Sequence, residues 1–157
     1  MPINDPTDML LADQLQADGR ISNVELARRA GMAPSAVLER VRRLEERGVV
    51  SGYEARISPK ELGYSLTAFI LVRTLFSNGT EQGQLLADIP EVLEVHEVAG
   101  EDCFLIKVRV RDTDALAKLL KEQIQAIPGI RSTRSTIVLT TYKETLKLPI
   151  EGAAKPK

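Results

Sequence analysis

The chain has 157 residues, 43% apolar and 27% charged, with a net charge of −1, one cysteine and one histidine. That is the make-up of a globular chain of one large or two small domains. No apolar run approaches the ~20 residues of a membrane span, and the polar N-terminus lacks an export signal's charged-then-apolar pattern, so a cytoplasmic protein without membrane partners is expected. Cys103 alone excludes an internal disulfide framework, and with His96 as the only other soft ligand no metal site or cofactor is expected.

In chain order, DPTDMLLADQLQADGR opens with Asp and Pro start signals, sets Leu10, Leu11 and Leu15 near one face, and stops at Gly19, which predicts a first helix. SNVELARRAG predicts a second, capped by Ser22 or Asn23, apolar along Val24, Leu26, Ala27 and Ala30, and ended by Gly31. APSAVLERVRRLEERG predicts a third, with Pro34 in its first turn, Val37, Val41 and Leu44 inward, and Gly48 just past its end. VVSGYEARIS then alternates around Gly52 as a short two-stranded wing would. Three short helices and a wing make a winged helix-turn-helix.

Beyond the Pro/Gly-marked connector SPKELGYS the rhythm changes. SLTAFILVRTLF reads as a strand, GTEQGQLLADIPEV as a short helix, VLEVHEVAG as a strand, EDCFLIKVRVRD as a turn into another strand, TDALAKLLKEQIQAIPGI as a helix and RSTRSTIVLTTYKE as a last strand. The order βαββαβ predicts a ferredoxin-like sheet with both helices on one face, so the class is α+β. The expected domains are 1–57, the winged helix-turn-helix; 58–65, a linker; 66–147, a sensing and oligomerisation domain; and 148–157, a tail loose at its end.

Charge follows the same division. Between Arg20 and Lys60 nine cations face five anions, whereas Thr80 to Ile106 holds seven acidic residues and no Lys or Arg. The front half suits an anionic partner. With Val37, Val41 and Leu44 inside, the third helix is expected to present Ser35, Ala36, Glu39, Arg40, Arg43 and Arg47 to double-stranded DNA. Arg40 and Arg43 would reach guanine edges or phosphates, Arg47 would sit where the backbone passes, and Ser35 with the helix-end amides would hold a phosphate. A solvated face laced by pairs such as Glu39 with Arg43 is the competing explanation.

A sheet covered by helices on one side leaves the other bare, and the strands carrying Leu71, Ile106, Val108 and Val138 are strongly apolar. A second copy packed on that face is the simplest cover, so a twofold homodimer is expected, which also suits two DNA half-sites.

The stretches ADGRISNVELARRAGMAPSAVLERVRRLEERGVVSGYEARISPKELG, VAGEDCFLIKVRV and IPGIRSTRSTIVL resemble the Lrp/AsnC, or feast/famine, family of transcription regulators over all but about the last ten residues. The resemblance implies an N-terminal helix-turn-helix, a C-terminal RAM-type ligand-sensing domain, and dimers that assemble to a tetramer or octamer and respond to amino acids. It implies effector contacts at Val98, Ala99, Gly100, Glu101, Asp102 and Cys103 on one side and Thr133, Arg134, Ser135 and Thr136 on the other. The Gly turn offers amides for a carboxylate, and Glu101 or Asp102 would take an ammonium. The family turn runs close to Gly-Asp-x-Asp-aromatic, so Cys103 replaces one carboxylate. His96 is expected at the surface or an interface, and Tyr53 in wing packing. No P-loop, nucleophile elbow or paired-carboxylate motif is present, so no enzyme is expected. The alternative is a small-molecule-binding ferredoxin-like protein whose winged helix serves protein interaction.

Overall fold

The computed structural model describes residues 3–75, 80–100 and 103–151. Helix α1 (Pro6–Ala17) begins where the Asp5 carboxylate accepts from the amides of Thr7 and Asp8 at 2.8 and 3.1 Å, while Pro6 has no amide to satisfy. It ends two residues before the expected glycine. Asp18 is extended and its side chain accepts from the Arg20 amide at 2.9 Å, an Asx-type turn that makes the stop without a left-handed glycine.

Helix α2 (Asn23–Ala30) is capped by Ser22, whose hydroxyl accepts from the Glu25 amide at 3.2 Å, and closed by Gly31 at φ 63°. Leu26 and Ala27 are buried, but Val24 is 69% exposed. Two residues are about 200° of helix rotation, so Val24 and Leu26 cannot share a face, and the expected inward place for Val24 is corrected. Helix α3 (Pro34–Glu46) buries Val37, Val41 and Leu44 as expected. With Leu11, Leu15, Leu26 and Ala27 they form the core of the helical unit.

Residues 51–58 are exposed and carry no strand pairing among the described residues. An isolated two-stranded ribbon is marginal without a third strand or an apolar surface beneath it. From Glu144 the chain rejoins the helical unit, while residues Ile57–Lys143 form a second compact unit. Gln16 anchors that return: its amide donates to the Leu148 carbonyl at 2.8 Å and its carbonyl accepts from the Leu148 amide at 3.0 Å.

The second unit follows βαββαβ: β1 (Leu66–Thr74), α4 (Thr80–Ala87), β2 (Val92–Glu97), β3 (Phe104–Val110), α5 (Thr113–Lys118) and β4 (Ile130–Ile137). A 3-10 turn at Lys60–Leu62 precedes β1. After Lys118 the second helix widens to π-type bonds through Leu119–Ile124, with the Gln125 amide donating to the Leu120 carbonyl at 2.8 Å. The four strands are antiparallel in the order β2-β3-β1-β4. Ile70 faces Ile106 across β1 and β3, and Ala68 faces Val108. Together with Val72, Phe104, Leu86, Leu116 and Ile124 they fill the layer between sheet and helices. Gly83 permits the approach of α4, since a Cβ there would lie 3.0 Å from Phe104 Cε1.

Ile106 and Val108 therefore belong to the helix-covered side. The open side carries Phe69, Leu71 and Leu105 mixed with Arg73, Lys107 and Arg109. It is less apolar than strand composition suggested, because the most apolar alternate positions are those already beneath the helices.

Candidate nucleic-acid interface and effector region

Helix α3 sits across a three-residue turn from α2, and Pro34 starts it. No side chain caps its N-terminus. Ser35 is exposed there and Ala36 half-buried, so an anion could meet the helix end without displacing a protein group.

The six residues expected on the DNA face do not share one environment. Glu39 and Arg43 are exposed and weakly paired, with Arg43 Nε 3.4 Å from Glu39 Oε1. Arg47 follows the last helical turn and is exposed. Arg40 lies three residues from Val37, about 60° around the helix from the buried stripe, on the flank toward α1. Its Nη1 is 2.6 Å from Asp8 Oδ1 and 3.1 Å from Asp5 Oδ1. The Asp8 hydrogen bond raises the guanidinium above its ordinary pKa. The carboxyl of Asp5 is held below its ordinary range, first by the Asp8 amide, with Arg40 adding to it.

Arg42 is not among the six residues expected on the DNA face. Five residues from Val37, about 140° around the helix, it projects to solvent with 71% of its side chain exposed and a 2.9 Å pair to Glu46. Counting rotation from the apolar stripe would have found it. On α2, Glu25 holds Arg28 and Arg29 at 2.7 Å each, and these two hydrogen bonds bring its carboxyl down to about 2. Arg29 also donates to the Gln14 side chain of α1. Tyr53 donates its hydroxyl to Glu45 at 2.8 Å, and burial followed by that bond pushes the phenol up to about 12. Its ring packs on Gly19, where a Cβ would lie 3.3 Å from Tyr53 Cδ1.

The residues expected to contact an effector come from two stretches of the second unit. Glu101 and Asp102 lie outside the described residues. Val98, Ala99, Gly100 and Cys103 form the β2–β3 connection, closed by the Val98 amide donating to the Cys103 carbonyl at 2.9 Å. Gly100 has φ 138°, which favours glycine. Across β1, the Cys103 amide donates to the Val72 carbonyl at 2.9 Å, and Val72 pairs with Thr133 on its other edge. The two stretches thus meet at one end of the sheet with β1 between them.

Strand alternation divides the second stretch. Thr133 and Ser135, opposite Val72 and Ile70, stand on the helix side, whereas Arg134 and Thr136, opposite Leu71 and Phe69, stand on the open side. Thr133 accepts from the Gln125 side chain at 3.1 Å. Cys103 is half-buried and its Sγ accepts from Thr74 Oγ1 at 3.1 Å. His96 is exposed, 3.4 Å from Glu94, which Lys107 binds at 2.9 Å; the Lys107 bond is the main cause of the lowered Glu94 pKa. Among the described residues no helix is long and apolar enough to cross a membrane, and no group of three or more His, Cys, Asp or Glu could hold a metal.

Comparison with known proteins matches residues 4–51 to the winged helix-turn-helix DNA-binding model and residues 67–148 to the Lrp/AsnC ligand binding domain. The chain is 39% identical to the HTH-type transcriptional regulator FL11 of Pyrococcus horikoshii over 94% of its own length and 97% of that protein. It is 38% identical to the leucine-responsive regulatory protein of Escherichia coli K12, over 94% and 92%. The solved feast or famine regulatory protein of Mycobacterium tuberculosis complexed with L-methionine superposes with a TM-score of 0.85 at 43% identity, covering 92% of this chain and 97% of that one. With both halves matched in the same order along one chain, the protein belongs to the Lrp/AsnC family of transcriptional regulators.

Proposed function

We propose that this chain is a cytoplasmic, sequence-specific regulator that reads double-stranded DNA with the outer face of α3 and is modulated by an amino acid bound between dimers. One observation carries the DNA part: Arg42 and Arg43 project to solvent, 71% and 64% exposed, from a helix whose far side is buried as Val37, Val41 and Leu44. Ser35, Ala36, Glu39, Arg42, Arg43 and Arg47 are assigned to the duplex. A protein-docking winged helix is disfavoured, since the matched model is a DNA-binding one.

The amino-acid part is supported by the L-methionine complex of the Mycobacterium tuberculosis relative. The β2–β3 turn with Gly100 supplies amides for a carboxylate, and Glu101 and Asp102 are the proposed ammonium partners. Arg134 and Thr136 stand on the open side of the sheet, and a neighbouring dimer would complete the site. Homodimers through that side would assemble further to a tetramer or octamer.

The test is a gel shift on the gene's own upstream region at rising salt, with affinity expected to fall steeply as counterions are released. No complex at low salt would end the DNA reading. A thermal-shift screen of the twenty amino acids tests the effector separately, since a ligand that prefers the native assembly raises its stability; the absence of any shift would end that part.

A further inference from the structure

We propose that Arg40 is a positioning residue for DNA recognition: tied to Asp5 and Asp8, it sets the angle of α3 against α1 and aims the exposed arginines without touching base or phosphate. This role rests on the reading that α3 enters the duplex.

Its placement is the first argument. Only 30% of the Arg40 side chain is exposed, less than half the value for Arg42 or Arg43. Charge is the second. One guanidinium bridges two carboxylates, so a phosphate approaching Arg40 meets a net negative cluster. Arg42 and Arg43, by contrast, each pair along α3 with an exposed glutamate, Glu46 and Glu39.

Connectivity is the third. Asp5 caps α1 through the amides of Thr7 and Asp8 and binds Arg40 with the same oxygen, Oδ1. The first turn of α1 is thereby fixed to the middle of α3, across 32 residues of sequence in the Asp8 bond. Burial of Leu11 and Leu15 with Val37 and Val41 holds the two helices together, but apolar contact is non-directional. Charge-assisted hydrogen bonds add a preferred geometry, and the direction in which Arg43 projects depends on it.

The experiment compares the full chain with Arg40→Gln, Arg40→Lys, Asp8→Asn, the Arg40→Gln/Asp8→Asn pair, and Arg43→Gln. Without DNA, thermal unfolding reads the tie itself: each single Arg40→Gln or Asp8→Asn change is expected to lower the melting temperature, and the pair to be no worse than the worse single. Additive losses would overturn the tie. With DNA, binding to the upstream fragment and to an unrelated duplex is measured across a salt series. Arg40→Gln and Asp8→Asn are each expected to lower the ratio of specific to unspecific affinity several-fold, with Arg40→Lys recovering part of it. The logarithmic salt slope of Arg40→Gln should match the parent, while that of Arg43→Gln falls by about one if Arg43 contacts phosphate.

A slope reduced by about one in Arg40→Gln would show that Arg40 neutralises a phosphate, and overturn the proposal. So would a rise in the specificity ratio of Asp8→Asn, the result of releasing an arginine that reads bases. If Arg40→Gln fails to fold, Arg40→Lys and Asp8→Asn read the same two quantities. Failure of the parent to bind any DNA would end the regulatory reading, and this role with it, while the DNA-free unfolding cycle would still show whether the tie exists.

Discussion

The sheet unit and the helical unit solve the problem of fixing their parts in different ways. In the sheet unit thirteen buried residues form one cluster, and a ladder of backbone bonds sets each strand's register, so alternation alone decides which side chains meet. The core cluster of the helical unit gathers seven buried residues among those described, and its three short helices share no ladder. There the orientation of one helix on another falls to side chains at their edges: Arg40 to Asp5 and Asp8, and Arg29 to Gln14. The difference teaches where each unit is vulnerable. Removing a methyl group damages both, but removing a charge should disturb the helices far more than the sheet.

The largest effects should come from the shared vulnerability. Leu44 is 1% exposed and Ile106 fully buried, and truncating either to alanine is expected to cost about 2–5 kcal/mol. In Leu44→Ala the loss of amide-exchange protection should concentrate in α1 to α3, and DNA binding should go with it. In Ile106→Ala it should concentrate in the strands. Equal loss of protection in both units from either change would break the comparison.

The next effect separates folding from binding. Arg43→Ala should weaken specific DNA binding by roughly 1–3 kcal/mol if that side chain reads a base. Its exposed pair with Glu39, at 3.4 Å, contributes little to folding, so chemical denaturation should barely change. A marked loss of stability would mean that Arg43, like Arg40, serves the packing of the helices.

Much of this was legible in the sequence, because its signals were local. Ser22, Gly31 and Pro34 mark helix ends by their own backbone chemistry, and Val37, Val41 and Leu44 repeat at the helical period. The βαββαβ order followed from changes of period alone. What did not follow depended on distant partners or on rotation. The bond from Arg40 to Asp8 spans 32 positions, so no pattern within α3 announces that this arginine turns inward. Val24 and Arg42 were misplaced or missed because the faces of their helices were not followed around by angle. The wing was expected from alternation, which describes how a strand would display its residues but not whether another strand is there to pair with it. For the expected effector residues the sequence marked the turn and the last strand, but not that the pleat sends Thr133 and Ser135 one way and Arg134 and Thr136 the other.

Acid and alkali sharpen the contrast on a smaller scale. Glu25, bound by Arg28 and Arg29, has its carboxyl lowered from 4.5 to about 2. A depressed folded-state value means that the stabilisation is complete above about 4.5 and is lost as pH falls through about 2. Glu25→Gln should therefore flatten the acid limb of the helical unit between those values, as read by helix signal in a pH series, and leave sheet protection unchanged. An acid limb identical to the parent's would mean that these pairs are no tighter in the folded chain than in the unfolded one.

The smallest effect concerns Tyr53, whose phenol is raised from 10.0 to about 12 by burial and by its bond to Glu45. The sign is the reverse of the Glu25 case. Stability from the protonated phenol is fully present below about 10 and is lost as pH rises through about 12. Phenolate absorbance should show Tyr53 titrating late in the folded chain, and Tyr53→Phe should remove that late step. The variant should also lose less stability than the parent across the same interval, because it has no phenol to ionise beside a carboxylate. Since Tyr53 is 49% exposed, solvent screens the bond and the difference should be small. A late titration still present in Tyr53→Phe would mean that the ring resting on Gly19 is held by packing, with its hydroxyl open to water.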